Sequence, residues 1–250
     1  MAEEATTVRE ARLGKTVGPV PQAVSGVVLL LPPGEESSAR GPSPLAAAAV
    51  RTLSRTLARE GRRDGLATHV VHYRYRGWNG AQAQLARDAE WAADEVVRRY
   101  GDVPVCLAGV DMGGRAALRA GGHRAVNSVL ALAPWLPEED VAAPPEPVKQ
   151  LAGRRVLVVH GTNDRRTDPE LSFRLAARAK KANHAICRFE VHSDGHGLRQ
   201  HRAEVLALAH DFVLGSLFGR PYSRPLQDAL AAPPPLGLRM PLASGFGQRR

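Results

Sequence analysis

Cysteine is nearly absent: two in 250 residues. Cys106 and Cys187 both fall in segments that read as strands, where small buried thiols are ordinary. So few imply no disulfide scaffold, although a single bridge stays open, and the Cys and His spacings match no metal site. Long apolar runs are missing too. Val27–Leu31 is the purest near the start, far too short to span a bilayer. Met1–Pro21 is mixed in charge and has no apolar core of a secretory signal, so a cytoplasmic protein that does not enter membranes is expected.

Lysine is scarce, at Lys15, Lys149, Lys180 and Lys181, so the net charge of +9 is an arginine excess. Part of it is local: Arg220, Arg224, Arg239, Arg249 and Arg250 face one acid, Asp228, after Phe218. Aromatics make up 5% and no nucleic-acid motif accompanies the charge, so it reads as a solvated basic surface without a nucleic-acid partner. Neither G-x-G-x-x-G nor a Walker lysine is present, and no cofactor is implied. No internal repeat is visible.

The chain does contain strands alternating with helices. Gly26–Leu31, Thr68–Tyr73, the segment before Gly109, Ser128–Ala133, Arg155–His160 and Ile186–His192 read as strands. Ser43-Pro44 opens a helix to about Glu60, Ala83–Tyr100 is helical, and Pro169–Lys181 and Gln200–Leu217 follow. This predicts a doubly wound, mostly parallel α/β sheet. The expected organisation is a flexible segment over 1–22, one domain over 23–217, and a Pro/Gly/Arg-rich disordered tail over 218–250.

The chemistry centres on Cys106–Ala117, CLAGVDMGGRAA, whose apolar strand runs through Gly109-Val110-Asp111-Met112-Gly113 into an Ala-rich helix. It has the shape of the G-x-S-x-G nucleophile elbow, a strained strand-to-helix turn. The serine is missing and Asp111 stands in its place. Val156–Asp164 (VLVVHGTND) then ends a strand in an acidic turn, and Val191–Leu198 (VHSDGHGL) ends another in a glycine-flanked histidine. Elbow, acid and histidine follow one another in the order of α/β-hydrolase triads.

With GVDMGGR, ALAPWLP, HGTND and GHG together, residues 24–217 resemble the α/β-hydrolase superfamily, and within it the small capless esterases of the dienelactone-hydrolase type. The resemblance implies a minimal hydrolase fold without a cap acting on a small-molecule substrate. His196 is the expected base, ahead of His192 and His201. Asp164 is the orienting acid, with Asp168 the competitor that more naturally caps the next helix. Met112 and Gly34 would supply the oxyanion N–H groups, beside a Pro33 with none and a charged Glu35. Trp78 and Trp135 are pocket candidates, with loop packing the plainer reading of both. Arg74, Arg76 and Arg115 either bind an anion or brace loops.

Asp111 leaves three readings open. It is a water-positioning carboxylate in an ester hydrolase, or a nucleophile on carbon–halogen or epoxide carbon as in D-W-G-G relatives. Otherwise it marks a lost serine in a catalytically silent binding protein.

Overall fold

The structure, a computed structural model, describes residues 9–138 and 145–247. Residues 1–8 of the expected flexible segment, 139–144 of the Pro-rich stretch and 248–250 of the tail lie outside it. In chain order the elements are β1 (Arg12–Leu13), β2 (Gly26–Leu31), α1 (Pro44–Glu60), β3 (Leu66–His72), α2 (Gln84–Tyr100), β4 (Val105–Val110) and α3 (Met112–Ala120). Then come β5 (Val126–Leu132), β6 (Arg155–Gly161), α4 (Pro169–Lys180), β7 (Ile186–Val191), α5 (Arg202–Phe218), α6 (Arg224–Ala231) and β8 (Met240–Pro241).

The eight strands form one sheet in the order β1-β3-β2-β4-β5-β6-β7-β8, parallel except for β1 at its edge. Parallel strands covered on both faces need apolar side chains in both directions, and GVVLLL of β2 is buried throughout. Val27, Leu29 and Leu31 face α2, α3 and α4 on one side of the sheet; Val28 and Leu30 face α1, α5 and α6 on the other. The caps match the sequence. Ser43 Oγ accepts the Ala46 N–H at 3.3 Å with Pro44 as the first helical residue, and Asp168 accepts the Glu170 N–H at 2.8 Å to open α4. Asp168 is therefore the cap. Cys106 on β4 and Cys187 on β7 are both buried and free, three strands or about 14 Å apart, which closes the question of a bridge between them. Burial pushes both thiols up to about 12.

Both ends correct the expected disorder. Residues 9–22 dock on the sheet edge: β1 pairs with β3, Gly14 N–H donates to the Val70 carbonyl at 2.8 Å, and Val17 bridges Thr68. The tail folds back as α6 and β8, with Leu226, Ala229, Leu238 and Leu242 buried. Two buried cations hold it. Lys180 Nζ donates to the carbonyls of Ile186 (2.8 Å), Ala229 (3.1 Å) and Leu230 (3.2 Å), ending α6 on a charge. Arg188 on β7 donates to the Leu238 carbonyl at 3.0 Å and to Ser172 Oγ at 3.0 Å. Proline and glycine density suggested disorder, but a few spaced leucines and these two partners outweigh it.

Lys180→Met leaves those three carbonyls without their shared donor. We expect a loss of about 2–3 kcal/mol in urea unfolding. Limited trypsin digestion should show faster cleavage after Arg239, in the tail that Lys180 holds, than in the parent; an unchanged midpoint and cleavage rate would refute this role.

Candidate functional site

β4 ends at Val110, Asp111 makes the turn, and α3 begins at Met112. Asp111 sits at φ 57°, ψ −123°, a strained conformation for a residue with a Cβ. The turn is this tight because its glycines permit it. A Cβ on Gly109 would overlap the Gly113 carbonyl, and one on Gly113 would overlap the Leu31 carbonyl. Gly114 N–H (2.9 Å) and Trp135 N–H (3.1 Å) pin the Asp111 carbonyl. The side chain is thereby lifted over the carboxyl ends of the strands, the edge where ligands bind in open α/β sheets.

The loops after β6 and β7 bring the other two candidates to it. Asp164 Oδ2 accepts from His196 Nδ1 at 2.9 Å, and His196 Nε2 lies 3.7 Å from Asp111 Oδ1. The predicted acid, histidine and elbow residue are thus in one line. Asp164 is buried within a dense set of donors: Thr167 Oγ1 (2.6 Å), His160 Nε2 (3.2 Å) and the backbone N–H groups of Arg166 (2.8 Å) and Thr167 (3.0 Å). Burial alone would raise its carboxyl, but the hydrogen bonds from His160, from the Thr167 hydroxyl and N–H and from the Arg166 N–H hold it far below the usual carboxylate range. Asp111 goes the other way. Burial raises it, only partly opposed by Arg166, His196 and the Met112 N–H, while the Asp164 charge adds to the rise. Arg166 Nη2 holds Oδ2 at 3.2 Å; Oδ1 is buried without a hydrogen-bond partner.

Several of these partners escaped the sequence. Arg166 and Thr167 follow Asp164 within three residues, so loop proximity was the available signal. His160 carried none beyond its place at a strand end, and its ring is fixed from the other side by Ser172 Oγ at 2.9 Å.

A cavity of about 420 Å³ opens on Asp111 and His196. Its apolar wall includes Ala49 and Leu53 of α1, Leu132 at the end of β5 and Val205 and Leu206 of α5, and Arg166, Arg199 and Arg202 also line it. Neither tryptophan does. Trp78 is 3% exposed with the Arg115 guanidinium 3.8 Å from its ring, so it packs in the core under a cation and the pocket assignment is corrected. Trp135 lines a neighbouring cleft of about 370 Å³ that shares Arg166 with the first. Gly34 packs against the elbow helix, where an added Cβ would lie 3.4 Å from Met112 Cβ, and Pro33 rather than Gly34 reaches the cavity. The Glu35 carboxylate is paired with Arg76 Nε at 2.9 Å. Arg74 pairs with Asp88 (3.1 Å) and Arg115 with Glu146 (2.8 Å), so all three arginines brace loops. Among the described residues no cluster of three or more His, Cys, Asp or Glu side chains is arranged for a metal ion, and no helix is long and apolar enough to cross a membrane.

This architecture recurs in solved structures. The lidless α/β serine hydrolase XC6422 from Xanthomonas campestris matches with a TM-score of 0.58 at 17% identity, over 86% of this chain and 98% of that one. The chain has a lidless α/β-hydrolase fold. A butyrate-bound esterase from Thermogutta terrifontis superposes at TM-score 0.61 and 19% identity, covering 88% of this chain and 94% of its own. The Pyrococcus furiosus esterase Pf2001 does so at 0.63 and 13%, covering 84% and 94%. At these identities the likeness is one of fold. The prolyl oligopeptidase family model matches residues 131–217, a span that holds Asp164 and His196 but not Asp111. No curated protein matches the sequence.

Proposed function

We propose that the protein hydrolyses small carboxylic esters, with Asp111 and His196 acting on a water molecule and Asp164 orienting His196. One observation carries this reading: a buried, unpartnered Asp111 Oδ1 lies 3.7 Å from a His196 Nε2 whose other nitrogen is held by Asp164. That separation is too long for a direct hydrogen bond and lets one water contact both atoms.

With Nδ1–H donated to Asp164, neutral His196 presents a basic Nε2. The water gives one proton to Nε2 and one hydrogen bond to Asp111 Oδ1, and its oxygen attacks the ester carbonyl carbon. The carbonyl oxygen takes up negative charge, for which the Met112 N–H at the start of α3 is the proposed donor, Gly34 being turned away from the cavity. As the C–O bond to the alcohol breaks, the leaving oxygen recovers the proton from His196, giving acid and alcohol. Attack by Asp111 itself on an acyl carbon would produce an anhydride, a reactive and unfavourable intermediate. Arg166 has a positioning part: by holding Oδ2 it leaves Oδ1 for water. The esterase neighbours and a cavity of small-molecule size support the substrate class.

One free carboxylate oxygen at a strained elbow also suits the second reading, displacement at carbon–halogen or epoxide carbon by Asp111. Assays on p-nitrophenyl acetate and butyrate test the first. The parent should turn over, and Asp111→Ala should lose about a hundredfold or more in kcat. A silent parent beside an active Asp111→Ser variant would overturn the proposal and indicate an esterase scaffold lacking its serine.

A further inference from the structure

Along the flank of α1, over the β3 edge of the sheet, a groove runs between that helix and the docked N-terminal arm. It consists of two adjoining cavities, about 320 Å³ and 620 Å³, that share Val17 and Arg55. Lys15, Arg51, Arg55, Arg59 and Arg62 line it, and no acidic residue does. Two carboxylates next to its arginines in sequence are engaged: Glu60 pairs with Arg59 at 2.8 Å and Asp64 with Arg220 at 2.7 Å. Among the described residues Lys15, Arg51, Arg55 and Arg62 have no ion-pair partner. The field reaches inward, since burial together with Arg12 and Arg51 lowers His72 beneath the groove. The opposite wall is different: Val17 and Val20 of the arm are 38% and 66% exposed, two of only four large apolar side chains that are exposed among the described residues.

We propose that this groove binds an extended acidic peptide segment whose alternate residues are apolar. Spacing carries the argument. Arg51 and Arg55 lie four residues apart along one helix face, about 6 Å, with Arg59, held by Glu60, four further on. Alternate side chains of an extended strand recur at about 6.6 Å, so carboxylates at every second position meet successive arginines. The intervening side chains point to the other side, where Val17, Pro19 and Val20 stand. From Ala47 to Arg62 the groove is about 22 Å long, room for about seven extended residues. A single-stranded nucleic acid fits less well, because no Phe, Tyr or Trp side chain lines the groove to stack on a base. An anionic membrane surface needs a protruding face, and this one is concave.

Fluorescence polarisation with a labelled heptapeptide alternating glutamate and valine tests the site on the full chain. Binding should weaken steeply with salt, by about tenfold or more in Arg51→Gln/Arg55→Gln, and by a smaller factor in Val17→Ser/Val20→Ser with the salt slope kept. All these side chains are exposed, and unchanged melting temperatures would confirm that the variants fold. Equal binding of the glutamine-for-glutamate peptide, no binding at low salt, or insensitivity to the arginine variants would overturn the proposal. So would tighter binding of a fifteen-nucleotide oligothymidylate or of phosphatidylserine vesicles at the same arginines.

Discussion

His196→Ala is expected to lower kcat on p-nitrophenyl butyrate by about a thousandfold or more while the melting temperature stays within a degree or two of the parent. General-base catalysis contributes about 10²–10⁴ in rate, and His196 Nε2 is the ring nitrogen that stands beside the Asp111 Oδ1 oxygen, at 3.7 Å. The side chain is 22% exposed on a loop, so its removal opens no core cavity. It does leave Asp164 with four other donors, which is why stability should hold. The same variant separates the two chemistries. If Asp111 were a nucleophile on haloalkanes or epoxides, the His196→Ala protein would accumulate a covalent alkyl ester visible by intact mass. A His196→Ala enzyme with parent-like turnover would remove the histidine from the mechanism.

Asp164→Ala carries the second large effect, and it is one of stability as much as of rate. The substitution strips the acceptor from His160, Thr167, His196 and two backbone N–H groups in a buried loop. A loss of about 3–5 kcal/mol in urea unfolding at pH 7 is expected. Asp164→Asn, which keeps the volume and one oxygen, should lose less stability but still misorient the imidazole and depress kcat strongly. The pH dependence has a definite sign. The folded Asp164 carboxyl is held well below its unfolded value of about 3.9, so its contribution is fully present above that value and is lost as pH falls below it. The stability gap between parent and Asp164→Asn should therefore be largest near pH 7 and should narrow towards pH 2.5. A gap that widens on acidification would contradict the charge network described for Asp164.

The frame of the fold was legible because its signals are local. Strands buried on both faces announce themselves as unbroken Val/Leu runs. Ser43-Pro44 and Asp168-Pro169 state where helices begin, and Gly109 and Gly113 have no alternative at so tight a turn. The order of Asp111, Asp164 and His196 along the chain carried the site, and the three side chains do converge. What was hidden depends on tertiary partners. The tail looked disordered because its composition was read without Lys180 and Arg188, residues some 40 to 60 positions earlier that satisfy its carbonyls. Arg166 carried no signal beyond following Asp164 in a loop, yet its guanidinium pairs with the elbow carboxylate. Trp78 was placed correctly at a strand's carboxyl end, but side-chain direction is not written in position, and Arg115 draws the ring inward.

The most direct test of the account follows oxygen rather than rate. The protein is allowed many turnovers of a p-nitrophenyl ester in ¹⁸O-labelled water, and both the released acid and the tryptic peptide Tyr100–Arg115 are weighed. If Asp111 and His196 direct water onto the ester, the acid gains about 2 Da and the peptide keeps its mass. A peptide heavier by about 2 Da would place the label in the Asp111 carboxylate, making it a nucleophile and contradicting the mechanism proposed here.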